Sequence, residues 1–300
     1  MKKVVITGGL GFIGFHLSQR LLENGYEVIA IDERQVDRQK EREEMQMRLG
    51  RNALYKLIEE KIEEVDLKEV INDADVVFHF AALTKHDNKW PRLQEVISRN
   101  VLLTKEVIKN MSKSSRFIFP STVQVYGERP GLITEKTPTN PTTAYGITKL
   151  ASETLIMKLA NELDLSYLIF RLPTIYGPFQ RTDMTYQQFL NGVEQPNMDR
   201  SQMDVVYIDD VIDAFMLSVT TSHTNEIFHI ATGKLGEWQR GVELLGHKWT
   251  AKSGFKTTLS TEKAKQLLGF EVQTSLEEGI QKQVEHEKQM NQNNWSSDSD

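Results

Sequence analysis

The stretch that most constrains the fold is residues 1–14, MKKVVITGGLGFIG. Val4, Val5 and Ile6 make a short apolar run of strand type. Gly8, Gly9, Gly11 and Gly14 follow, and Phe12 to Leu22 has helical spacing. Strand, glycine-rich turn and helix in that order bring backbone N–H groups and the positive end of a helix to one point, where a pyrophosphate can sit. A tight turn that needs glycine for steric reasons alone gives the same pattern, so the rest of the chain has to decide.

Tyr26 to Ile31 is a second apolar run, ended by Asp32, which follows Gly14 by 18 residues. An acidic residue there can accept both hydroxyls of an adenosine ribose and repels a 2′-phosphate, which favours NAD over NADP. Its plainer role is a strand-ending turn residue. Residues 33–52 are highly charged and read as an exposed loop or solvated helix without chemistry. Leu54 to Ile58 is a candidate strand. Asp75 to Phe80 reads as a buried strand, followed by the small residues Ala81 and Ala82. A long helix is expected over 91–111, a strand over 116–119 ending at Pro120, Ser121 and Thr122, a helix over 144–163 and a strand over 166–170. Strands alternating with helices imply a parallel sheet covered on both faces, with ligands at the carboxyl ends of its strands. The expected fold is α/β, a Rossmann-type doubly wound parallel sheet with a small C-terminal substrate-binding lobe. The sheet domain spans 1–172 with a returning segment at about 205–232. The lobe takes 173–204 and 233–290, and 291–300 reads as a disordered tail.

Composition removes several alternatives. The absence of cysteine excludes disulfides and thiolate catalysis, and the seven scattered histidines form no metal-binding pair. No metal site is expected. A net charge of −6 without a basic patch argues against nucleic acid. No signal-peptide pattern and no apolar run of the ~18 residues needed for a span point to a cytoplasmic protein away from membranes.

Tyr145 and Lys149 stand at i and i+4 and share one helix face. An ordinary tyrosine, with a pKa of about 10, is too weak an acid to serve as a base near neutrality. A neighbouring ammonium stabilises the phenolate, which can then take an alcohol proton. Thr122, at a strand end, is placed to hold the alcohol oxygen. By itself a Tyr-x-x-x-Lys pair is an ordinary feature of amphipathic helices.

The order of motifs changes that weighting. TGGLGFIG at 7–14, Asp32, DVVFHFAA at 75–82, Asn100-Val101, STVQVYG at 121–127, YGITK at 145–149 with Glu153, RLPTIYGP at 171–178, VVYIDDV at 205–211, and STEKAKQLLGF at 260–270 with SLEEGI at 275–280 follow one another along nearly the whole chain. In this the sequence resembles the extended short-chain dehydrogenases/reductases, the NAD-dependent epimerase/dehydratase family. The resemblance implies Thr122, Tyr145 and Lys149 as catalytic residues. It implies NAD held by Gly8, Gly11, Phe12, Ile13, Gly14 and Asp32, flanked by Phe80, Ala81, Ala82 and Pro173, with Tyr145 and Lys149 at its nicotinamide end. A nucleotide sugar is the implied substrate, and a homodimer through helices 92–111 and 144–163 is expected. Thr84, Thr174, Arg181 and Arg200 are the candidate substrate contacts.

Several positions depart from the family pattern. Val123 and Gln124 stand where dehydratases carry an acidic pair, which disfavours a 4,6-dehydratase. Thr174 replaces a usual Asn, and Met203 a usual Arg that grips the substrate diphosphate; Arg181 or Arg200 is the candidate replacement charge. Lys61 lies near a position where the family often has an adenine-contacting Asp. The leading expectation is a nucleotide-sugar 4-epimerase acting through a transient 4-keto sugar. A dehydratase or NAD(P)H-dependent reductase of the same family is the alternative, and a non-catalytic NAD-binding sensor is the alternative of another class.

Overall fold

A computed structural model describes residues 2–34, 38–83, 93–196, 204–248 and 256–297. Its strands are β1 (Lys3–Thr7), β2 (Glu27–Ile31), β3 (Tyr55–Ile58), β4 (Val76–His79), β5 (Arg116–Thr122), β6 (Gly131–Ile133), β7 (Ser166–Leu172), β8 (Thr174–Tyr176), β9 (Val205–Tyr207), β10 (Glu226–His229) and β11 (Thr257–Leu259). Seven of them form one sheet in the order β3-β2-β1-β4-β5-β7-β10, with every pairing parallel. This is the doubly wound arrangement of a Rossmann fold, in which the strand order reverses direction at β1 and β4.

The side-chain period of two along each strand feeds two cores. On one face Val4, Ile6, Val28, Phe78, Ile118 and Phe170 pack against Phe15, Leu17 and Leu21 of the Phe12–Glu23 helix and Val211 and Phe215 of the Ile208–Thr220 helix. On the other face Val5, Ile29, Val77, Phe117, Phe119 and Ile169 meet Val107, Ile156 and Leu159. Apolar residues at consecutive strand positions therefore all find cover, as a parallel sheet requires.

Among the described residues four strands lie outside the main sheet. β8 pairs with β9, and β6 with β11, in two small parallel pairs, while β10 returns to the main sheet beside β7. In this outer part Tyr176 and Tyr186 meet with ring centroids 5.6 Å apart, and Gly279 lets the final helix pass against the Tyr176 ring.

Three segments differ from the sequence expectation. The charged stretch contains a helix, Gln39–Leu49, with Arg42, Met45 and Leu49 on a buried face. The helix expected over 91–111 is interrupted: Leu93–Ile97 and Leu103–Lys109 flank a π-helical turn at Ser98–Leu102. The carbonyl of Asn100 in that turn accepts from the hydroxyls of Thr104 (2.6 Å) and Ser152 (3.3 Å). The last helix runs Leu276–Ser297, into the stretch read as a disordered tail. Extending a formed helix costs little per residue even when the side chains are polar.

A buried polar chain ties β5, β7 and the Ala144–Leu163 helix together. Arg171 forks onto Glu153, with Nη2 2.7 Å from Oε2 and Nε 3.1 Å from Oε1, and Ser121 donates to the same carboxylate. The second Arg171 amino group reaches the Tyr126 hydroxyl at 2.6 Å, which lies 2.6 Å from His229 Nε2. Glu153 is fully buried. Replacing it with Ala strands the Arg171 charge, so Glu153→Ala is expected to lower the unfolding free energy by about 3–5 kcal/mol, measurable by urea denaturation.

Candidate active site

Parallel pairing puts the carboxyl ends of β2, β1, β4, β5 and β7 side by side on one edge. Asp32 follows β2, the glycine turn follows β1, Phe80 to Ala82 follow β4, Thr122 is the last residue of β5 and Pro173 follows β7. Residues scattered from Gly8 to Pro173 are thereby brought to one rim.

At the glycine turn Gly8 has φ of 74° and its N–H bonds to Ile31 O at 2.8 Å. A Cβ on Gly8 would stand 2.8 Å from the Ala81 nitrogen, so the turn lies directly on the chain leaving β4. Gly11 N–H donates to Gly8 O, and Gly11 then caps the Phe12–Glu23 helix with no side-chain bond among the described residues. A Cβ on Gly14 would collide with Gly8 O, so the need for glycine there is close packing of helix on turn. The first-turn N–H groups, with Phe12 and Ile13 half-buried beside them, form a cradle that fits a dinucleotide pyrophosphate.

The chain after β4 is pinned from two sides. Ala81 N–H donates to Thr7 Oγ1 at 3.2 Å. Asn100 holds Leu83 through both its amide atoms, with Leu83 N 2.7 Å from Oδ1 and Nδ2 3.2 Å from Leu83 O. Beneath them His79 bridges Thr7 Oγ1 (2.7 Å from Nδ1) and Thr104 Oγ1 (3.1 Å from Nε2). Thr104 already donates to Asn100 O, so it accepts from Nε2–H, and Nδ1 accepts from Thr7. The ring is neutral. Burial, with Lys149 adding to it, holds its pKa down to about 3.

Thr122 ends β5, buried, and its Oγ1 accepts from Gln124 N–H at 3.3 Å. The Thr143 hydroxyl caps the next helix by accepting from Gly146 N–H at 3.0 Å. The same hydroxyl donates to Gln124 Oε1 at 3.0 Å. The side chain at 124 thus braces the helix start that carries Tyr145. One turn on, Lys149 is buried; its Nζ donates to Pro120 O at 2.8 Å and lies 5.7 Å from the centre of the Tyr145 ring. Burial lowers the Lys149 pKa to about 7, opposed by the Glu153 carboxylate one turn further. An ammonium this close to a phenol stabilises the phenolate.

The candidate substrate contacts are less tightly gathered. Pro173 and Thr174 are buried at the passage from β7 to β8, and Thr174 pairs in register with Val205. The Arg181 guanidinium forks onto Asp183, with Nε 2.8 Å from Oδ1. Thr84 and Arg200 lie outside the described residues, as does Met203. Among the described residues no cluster of His, Asp or Glu could hold a metal ion, and no helix is long and apolar enough to cross a membrane.

Sequence reasoning missed Arg42, which sits on Asp32, and the supports Thr7, His79 and Thr104. Arg42, Met45 and Leu49 recur at helical spacing, a signal that the density of charge around them hides. Thr7 and His79 lie within the motifs at 7–14 and 75–82, but no spacing in the sequence shows that they bond to each other or to Thr104, because those bonds join two strands and a helix.

A family profile matches residues 4–231, described as the NAD dependent epimerase/dehydratase family. The chain belongs to this family. A Bacillus subtilis protein described as an uncharacterized UDP-glucose epimerase is 27% identical over 308 residues, covering 94% of this chain and 96% of its own length. A Methanocaldococcus jannaschii protein described as a putative UDP-glucose 4-epimerase is 28% identical, covering 96% and 99%. Among solved structures, a mutant of a Bacillus cereus UDP-glucuronic acid 4-epimerase, in complex with a fluorinated UDP-glucuronic acid and NAD, superimposes with a TM-score of 0.83 at 26% identity. The match covers 96% of this chain and 99% of that one. A mouse dTDP-D-glucose 4,6-dehydratase, 25% identical over 98% of this chain and 90% of its own, belongs to the same circle of relatives. NAD is the family's cofactor, and the glycine cradle and the Asp32 end of this chain fit it.

The His79 bridge has a consequence in acid. An unfolded histidine takes up its proton near pH 6.5, the folded one only near pH 3. The unfolded chain therefore binds the proton first, and this contribution to stability falls as pH drops through that window. In His79→Gln the contribution is gone. The stability gap between wild type and variant is expected to narrow as pH falls from 6.5 toward 3, as read from denaturant melts across pH.

Proposed function

We propose that this chain is an NAD-dependent nucleotide-sugar 4-epimerase with Thr122, Tyr145 and Lys149 as its catalytic residues. The observation that carries the reading is the Tyr145–Lys149–Thr122 set together with Gln124, an amide bound to Thr143, where the family's dehydratases use an acid. Neither Val123 nor Gln124 can exchange a proton, so elimination of water has no acid–base pair at this place. The epimerases among the relatives support the same choice.

In this mechanism the sugar 4-hydroxyl lies between Thr122 and Tyr145. Thr122 donates to its oxygen, and Tyr145 takes the proton as carbon 4 is oxidised. NAD, when bound, supplies the hydride acceptor and later the donor at that carbon. Lys149 keeps the phenolate stable from one turn along the helix, and the Gln124–Thr143 bond holds that helix start in place. Once the keto sugar has turned its other face, Tyr145 returns the proton. Because oxidation and reduction cancel, no net coenzyme is consumed.

The cofactor is held at its pyrophosphate by Gly8, Gly11, Phe12, Ile13 and Gly14, at its adenosine ribose by Asp32, and along its nicotinamide half by Phe80, Ala81, Ala82 and Pro173. Thr174, buried just beyond Pro173, is a candidate substrate contact together with Thr84, Arg181 and Arg200. A cytoplasmic homodimer completes the proposal. Ile97, Leu102 and Met157 leave apolar surface exposed on the helices that would pair.

Tyr145→Phe is expected to retain NAD and to lose epimerisation by a factor of about 100 or more, measured as C4 epimers formed from a panel of UDP-, dTDP-, GDP- and CDP-sugars. No C4 epimer from the wild type on that panel rejects the reading. Stoichiometric consumption of reduced coenzyme would make the protein a reductase, and release of water a dehydratase. A function that survives Tyr145→Phe would make it a sensor.

A further inference from the structure

The Asp32 carboxylate is engaged twice by the protein itself. Oδ2 accepts from Leu10 N–H at 2.8 Å, and Oδ1 accepts from Arg42 Nη1 at 2.8 Å. Both side chains of the Asp32–Arg42 pair are only 6% exposed. The other Arg42 amino group, Nη2, is buried without a hydrogen bond among the described residues, and Glu59 Oε1 stands 3.6 Å away. Arg42 comes from the Gln39–Leu49 helix, most of whose charged residues face water. Placing one arginine on the inner face removes a guanidinium from water, a desolvation cost that the Asp32 pair offsets.

The geometry leaves Asp32 able to bind more. A carboxylate has about four acceptor sites, and Leu10 and Arg42 use one on each oxygen. Among the described residues one on each oxygen remains, the number that a vicinal diol requires. We propose that Arg42 is a positioning residue for the dinucleotide: it holds Asp32 as an oriented anion whose remaining acceptor sites receive the two adenosine ribose hydroxyls. The inference rests on Asp32 being the ribose site in the function proposed above.

The charges around Asp32 show what Arg42 does. Burial pushes the Asp32 pKa above its ordinary value, while the Arg42 bond and charge and the Leu10 N–H pull it down. The other groups facing it are Glu33 on its own loop, the Tyr55 hydroxyl on β3 and Glu59 just beyond β3. Glu33 is itself paired with Arg99 at 3.2 Å. With Arg42 gone, burial and the Glu33 charge remain, both of which disfavour the ionised form, and among the described residues only the Leu10 N–H still favours it. A protonated carboxyl becomes a donor on one oxygen and no longer accepts two hydroxyls. The pKa of Asp32 rises, so ribose binding is lost as pH falls and regained as pH rises.

The test is calorimetric titration of NAD into the full chain, stripped of carried-over dinucleotide, at about pH 6 and about pH 9. Wild type is expected to bind with nearly equal affinity at both. Arg42→Gln is expected to bind about tenfold more weakly at the lower pH than at the higher, the factor reached when the controlling pKa lies about one unit above the lower pH. Arg42→Lys, which keeps the charge, restores the flat profile. An equal loss at both pH values, or no loss, overturns the proposal. If Arg42→Gln does not fold, Asp32→Asn and the double variant Asp32→Asn/Arg42→Gln decide, because Asp32→Asn leaves Arg42 beside Glu59, 3.6 Å away, and the double variant carries neither buried charge. Equal NAD affinity in these two is expected, since Arg42 acts through the carboxylate, and a further loss in the double variant overturns it. If Asp32→Asn alone binds NAD as tightly as wild type, the ribose reading of Asp32 fails, and that result is separate from any result at Arg42.

Discussion

Parallel pairing throughout the seven-stranded sheet is the constraint on which the rest of this molecule depends. It sends every strand the same way, so each carboxyl end opens onto one edge. Strands buried on both faces carry mostly apolar side chains, and the loops that follow them carry the polar groups. The glycine turn after β1, Asp32 after β2, the alanines after β4 and Thr122 at the end of β5 are neighbours because of that rule. Sequence distance between them is irrelevant once the register is set.

What the edge then needs is stiffness, and the structure supplies it with buried polar bonds. Thr7, His79, Thr104 and Asn100 lock the chain leaving β4. Ser121, Glu153, Arg171 and Tyr126 join β5, β7 and the Tyr145 helix into one unit. Such groups are expensive to bury singly and stable only when all are satisfied. The two networks meet at Lys149: its charge adds to the burial that keeps the His79 ring neutral, the Glu153 carboxylate favours that charge, and Pro120 O fixes the ammonium. Packing and electrostatics at the proposed chemical centre are therefore one problem rather than two.

The fold and most of the rim were legible in the chain because local rules govern them. An apolar run before glycines, an acid after the second run, and Tyr145 one turn from Lys149 are short-range patterns with one favoured geometry each. Arg42 was not legible. It lies in a stretch so charged that composition says only that water surrounds it, yet its helix turns one face inward onto Asp32. The role of Gln124 was read by substitution, as a missing acid; its bond to Thr143 is a contact between residues 19 apart that no periodicity announces. The break at Asn100 was hidden for a related reason. A π turn preserves helical composition while shifting which carbonyl is free.

By itself the sequence determined the alternation of strands and helices, the glycine turn after the first strand and the order of motifs that marks the family. These are properties of backbone periodicity, glycine sterics and side-chain spacing along one element, and they need no tertiary partner. Tertiary structure alone decided which polar groups share a bond across elements: Arg42 with Asp32, Gln124 with Thr143, and Glu153 with Arg171 and Ser121. A charge in a sequence has no preferred partner until burial removes water as the competitor. Only the packed sheet and its helices establish where that happens.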